Sequence, residues 1–118
     1  MSETHTHDRL ADVNALVKRL RRHYPTEAEA FLNFMRKAED GVALTAREKE
    51  LVNVGLSVAA QCKWCIDFHT RNAINAGANR DEIVEAGFMA IVMHGGPAFM
   101  YMTTLLEALD DLAPEGGR

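Results

Sequence analysis

Residues 45–77 read TAREKELVNVGLSVAAQCKWCIDFHTRNAINAG, and the punctuation inside this stretch decides the fold. Thr45-Ala46-Arg47-Glu48 has the spacing of a capping box, in which the Thr hydroxyl and the Glu carboxylate each satisfy a backbone N–H that a helix start leaves unpaired. A helix is therefore predicted from Thr45 to about Ala60, with Leu51, Val54 and Val58 on its buried side. The next helix contains or immediately follows the cysteines and stops at Gly77, the residue type that most readily takes the left-handed conformation ending a helix.

The same signals extend in both directions. Asn79-Arg80-Asp81-Glu82 repeats the capping signature and opens a helix through Ile83, Ala86, Met89, Ala90 and Met93, which Gly95-Gly96 terminates. Pro97 suits the first turn of a last helix, running to Leu109. Upstream, Leu10, Val13, Leu16, Val17 and Leu20 follow a 3.6-residue period within a helix from Asp8 to His23, ended by Pro25. Thr26 can then cap a helix reaching about Glu39, with Phe31, Phe34 and Met35 on its apolar side and Asp40-Gly41 closing it. No internal repeat or strand-like alternation competes, so the expectation is an all-α domain of about six helices over 1–118, with 1–8 and 113–118 flexible.

Composition agrees. The chain has 118 residues, 47% of them hydrophobic, and only three prolines, as suits a folded helical protein. Its 17 acidic and 13 basic residues give a net charge of −4, and the one basic cluster, Lys18, Arg19, Arg21 and Arg22, reads as a solvated helix face. Nucleic-acid binding gets little support. The polar N-terminus lacks the apolar stretch of a signal peptide, and no run reaches the roughly 18 apolar residues a membrane span needs. A soluble, cytoplasmic protein is expected. The last two helices carry apolar residues nearly all round, including Phe88, Met89, Val92, Met93, Phe99 and Met100, more than a domain this small can cover. Some of that surface is expected to be covered by other subunits.

The chemistry-bearing signal is Cys62-Lys63-Trp64-Cys65 followed by His69. Two cysteines this close cannot staple distant parts of a fold, so their purpose is local. On a helix at about 100° per residue, Cys65 lies roughly 60° from Cys62 and His69 roughly 20°, so all three share a face. Two sulfurs near enough to bridge, a base within reach and the positive end of a helix dipole together favour a reactive thiolate. Glu50, twelve residues before Cys62, can fold back toward the thiols if the two helices form an antiparallel hairpin. Glu48 is the neighbouring candidate, but the capping box already occupies it.

These residues alone leave three uses open: redox chemistry, a zinc site with Cys62, Cys65, His69 and either Glu50 or His94 as ligands, or inert thiols. His94 is adequately explained by the carbonyls of a helix end. Trp64 either shields the dithiol or packs against a helix.

From about Leu44 to Leu109 the sequence resembles the carboxymuconolactone decarboxylase superfamily, and within it the AhpD-like alkylhydroperoxidases. The resemblance is carried by Arg47-Glu48-Lys49-Glu50-Leu51-Val52, Cys62-x-x-Cys65-x-x-x-His69, Asn72-Ala73-Ile74-Asn75-Ala76-Gly77-Ala78 and Asp81-Glu82-Ile83-Val84-Glu85-Ala86. It implies an all-helical bundle assembling into trimers or hexamers. It also implies that Cys65 attacks a hydroperoxide, Cys62 resolves the sulfenic acid to a disulfide, and Glu50 and His69 form the proton relay. An external dithiol or disulfide reductant would restore the pair, with no bound cofactor. Lys63-Trp64 stands where some AhpD proteins place a histidine. Other readings are a non-catalytic redox sensor and, more remotely, a lyase of the decarboxylase type.

Overall fold

The computed structural model describes residues 5–114, which form six helices and no strand. These are α1 (His5–His23), α2 (Pro25–Glu39), α3 (Ala46–Ala59), α4 (Lys63–Asn75), α5 (Arg80–His94) and α6 (Gly96–Leu112). α3 packs between α4 and α5, and α6 closes the bundle against both. α1 lies along α4 and α6, while α2 packs chiefly on α1.

Both capping boxes are realised. Thr45 and Glu48 exchange side-chain and backbone hydrogen bonds at the start of α3, as do Asn79 and Glu82 at the start of α5. The core is built from Val54 and Val58 of α3, Ile66 and Ala73 of α4, Ile83 and Ala90 of α5, and Ala98, Leu105 and Leu109 of α6. Helices α5 and α6 approach closely because Gly87 has no side chain. A Cβ there would sit 2.7 Å from Leu105 and 2.8 Å from the Met102 sulfur.

The turn between α3 and α4 is the part of the fold that sets the site. α3 ends in the hydrogen-bond pattern of a Schellman motif, with Gln61 N–H donating to the Val58 carbonyl (3.0 Å) and Cys62 N–H to the Ser57 carbonyl (3.3 Å). Gln61 occupies the left-handed position, at φ 58°. α4 ends in the same motif, through Gly77 N–H to the Ile74 carbonyl and Ala78 N–H to the Ala73 carbonyl, and there the left-handed residue is a glycine, Gly77, at φ 99°.

Four expectations are corrected. Of the ends expected to be flexible, 1–4 and 115–118 lie outside the described residues, but His5–Asp8 are helical and Thr6 is fully buried, so α1 begins at His5. Pro25 does not simply end α1: it opens α2 at the first helical position, where its missing N–H costs nothing. Tyr24, not Thr26, is the α2 cap residue, and it makes no side-chain capping bond. The apolar side of α2 is not packed inside the chain, since Phe31 and Phe34 are exposed and α2 has no buried residue. Among the described residues no helix is long and apolar enough to cross a membrane.

Candidate functional site

Cys62 belongs to both helices of the hairpin. It closes the Schellman motif of α3, and it is the N-cap of α4, where its Sγ accepts the Cys65 backbone N–H at 3.1 Å. Sulfur rarely fills a position that favours Ser, Thr, Asp or Asn, and here the positive end of the α4 dipole acts directly on it. Cys62 and Cys65 are joined as a disulfide, their Cα atoms 5.2 Å apart, and there is no other cysteine in the chain. Oxidation and reduction of this pair need no large backbone movement.

Four residues beyond Cys65, one turn along α4, stands His69. Side chains at i and i+4 are helix neighbours, with Cβ atoms about 5–6 Å apart. The other side of the imidazole is held from α3: His69 Nδ1 lies 2.9 Å from Glu50 Oε1. An Nδ1–H donated to that carboxylate fixes the tautomer and leaves Nε2 free to accept a proton. Glu50 is buried, at 8% exposure, and His69 is mostly enclosed. Burial pushes the Glu50 carboxyl up, but the His69 hydrogen bond and charge, aided by Asn53, outweigh it and hold the group below its ordinary value of 4.5. Glu48 is exposed and committed to the capping box, as its position in the sequence suggested.

The residues expected at the site thus fall into two linked pairs, Cys62 with Cys65 and Glu50 with His69. His94 stands apart, lining an open apolar groove of about 620 Å³ between α3 and α5 with Leu51, Leu56, Met89 and Met93. Among the described residues no group of three or more His, Cys, Asp or Glu side chains is placed to hold a metal ion. Trp64 is half exposed, and its indole N–H donates to Asp12 of α1 at 3.4 Å, which ties the dithiol turn to α1.

Three features were not read from the sequence. Gln61 adopts a left-handed conformation that glycine would normally supply, and nothing in its residue type announces it. Asp67, buried completely in α4, is held by Arg9 of α1, which also donates to Glu107 of α6 at 2.9 Å. Glu39 reaches the Glu50 neighbourhood from the end of α2, bound through Asn53.

An all-helical bundle with a dithiol at a helix start and a buried carboxylate–imidazole pair one turn along defines a class of thiol-bearing helical proteins. The chain belongs to the carboxymuconolactone decarboxylase family, which it matches over residues 25–108. An uncharacterized protein of Cupriavidus necator is 35% identical over 104 residues, covering 88% of this chain and 92% of its own. In Paracoccus denitrificans, an uncharacterized protein of the cox locus is 33% identical over 84 residues, covering 71% and 76%. Among solved structures, a carboxymuconolactone decarboxylase family protein from Legionella pneumophila, crystallised in its apo form, superposes with a TM-score of 0.89 at 31% identity, covering 94% of this chain and 99% of that one.

Proposed function

We propose that the protein is a thiol-dependent peroxidase or disulfide oxidoreductase of the AhpD-like kind, working as a homo-oligomer. The observation that carries this reading is the 2.9 Å contact between buried Glu50 and His69, on the helix that bears Cys65 one turn earlier. A base held in one tautomer beside a thiol that can bridge to a second thiol is what this chemistry requires.

In the reaction, His69 Nε2 takes the Cys65 proton, and the thiolate attacks the terminal oxygen of ROOH. The O–O bond breaks, Cys65 becomes a sulfenic acid, and the proton passes from His69 to the departing oxygen to give ROH. Cys62 then attacks the sulfenic sulfur, water leaves, and the disulfide forms. Its sulfur, at the α4 N-cap, is suited to react as the thiolate. An external dithiol reduces the pair by exchange, itself becoming a disulfide. The same dithiol would serve a disulfide substrate without the peroxide step.

Steady-state consumption of hydrogen peroxide and an alkyl hydroperoxide, with several dithiol donors, tests this directly. Cys65→Ser is expected to abolish consumption, and Cys62→Ser to stop turnover after the first oxidation. Unchanged turnover in Cys65→Ser would sink the assignment. Reversible oxidation of the pair with no consumption of either substrate would instead indicate a redox sensor.

A further inference from the structure

Behind Glu50 lies a second carboxylate that the scheme above does not use. Asn53, one turn along α3, directs its Nδ2 to Glu50 Oε1 at 3.5 Å and to Glu39 Oε2 at 3.3 Å. Glu39 is the last residue of α2, and Lys49 fixes it there by donating to the backbone carbonyls of Glu39 (2.5 Å) and Gly41. Glu39 and Glu50 both line a cleft of about 330 Å³ that opens to solvent beside Arg36 and Phe68.

Two facing carboxylates repel, and one of them could turn to water. Stability does not require the arrangement, because α2 has no buried residue and Lys49 already ties its end to α3. The side chain nonetheless points inward at the relay. We propose that Glu39 is a positioning residue acting through Glu50: it forms the outer end of the proton path, exchanging the relay proton with water in this cleft, while Asn53 keeps the two carboxyl groups facing. In the resting, reduced protein the Cys65 proton moves to His69 Nε2, the Nδ1 proton moves to Glu50, Glu50 hands its carboxyl proton to the Glu39 carboxylate, and Glu39 releases it to water in the cleft. The thiolate remains on Cys65, and charge and protons balance. The charged or titratable groups around Glu39 are Arg36 and Asp40 of the α2 end, Lys49 and Glu50 of α3, and His69 of α4 beyond Glu50.

This inference rests on the proposed thiol chemistry, so its test needs a readout that uses no peroxide. The rate of Cys65 alkylation by iodoacetamide is measured by mass spectrometry from pH 5 to 9 in full-length Cys62→Ser, alone and combined with Glu39→Gln, Glu39→Asp or Asp40→Asn. Glu39→Gln is expected to raise the pH of half-maximal reactivity by about 0.5 unit, as loss of a nearby negative charge makes the base weaker. Glu39→Asp should restore most of the shift, and Asp40→Asn should leave the profile in place. An unmoved profile in Glu39→Gln, or a slowing equal at every pH, overturns the inference. The two readings fail separately: absence of peroxide consumption by the wild type defeats the peroxidase reading without moving the alkylation profile, and an unmoved profile in a working peroxidase defeats only the role of Glu39.

Discussion

At Glu50, burial and pairing act in opposite directions, and the outcome is a carboxylate kept ionised inside the protein. Because its folded value lies below its ordinary 4.5, the stability it contributes is present above that pH and is lost as pH falls through the lower, folded value. Glu50→Gln should therefore flatten the loss of stability below about pH 4.5, as followed by urea midpoints across pH. The same variant removes the acceptor that fixes the His69 tautomer. Together with His69→Ala it should slow Cys65 oxidation by roughly 10²-fold, the usual contribution of a positioned base. Gln61 makes a different point. A left-handed residue with a Cβ costs about 1–2 kcal/mol, partly offset by the entropy a glycine would lose on folding. Gln61→Gly should thus stabilise the protein by about 0.5–1 kcal/mol in chemical denaturation, and an unchanged or lower midpoint would contradict the strain at this turn. Glu48 and Glu50 were separable in the sequence because the capping box is a local rule. Gln61 and Glu39 were not, since one breaks the local rule for a helix end and the other acts across a distance in the chain that no spacing encodes.

Among the elements, α4 carries Cys65 and the imidazole, with Cys62 at its N-cap, and Arg9 clamps its buried carboxylate from outside. Arg9 of α1 binds Asp67 with two nitrogens and reaches Glu107 of α6 with one of them. Burial pushes the Asp67 carboxyl up, and Arg9 pulls it back only in part. A charge this enclosed depends on its partner. Arg9→Met should cost about 3 kcal/mol, whereas Arg9→Met with Asp67→Leu should recover most of it, because no buried charge is then left unpaired. Equal destabilisation of the single and double variants would show that α1 matters to α4 through apolar packing alone. The starts of α3 and α5 were legible because capping boxes are written within four residues. The start of α1 was not: Thr6 is buried against the rest of the bundle, which a polar sequence does not advertise. Nor could periodicity reveal that α2 leaves Phe31 and Phe34 exposed, since an apolar stripe states that a face needs cover without saying what covers it.

Over the whole molecule, α5 is apolar on both sides but turns its small residues inward. Gly87 and Ala90 face the core with Ile83, while Phe88, Met89, Val92 and Met93 are exposed, the last two at 73% and 78%. The excess of apolar residues was plain in the sequence. Which of them would be left outside was decided by how closely α5 approaches α6 at Gly87, a tertiary fact. We propose that copies of this chain meet over this surface. Sedimentation of the intact protein should give the mass of a trimer or hexamer, and Val92→Asp with Met93→Asp should shift it toward the single chain. A wild-type protein that sediments as one chain would contradict this. The central claim concerns the dithiol, and the most direct measurement traps its first product. Cys62→Ser is treated with one equivalent of hydroperoxide in the presence of dimedone and analysed by peptide mass spectrometry. One adduct on Cys65, formed about 10²-fold more slowly when His69→Ala is added, is the expected result. No adduct on Cys65, or the same rate with and without His69, would contradict the account.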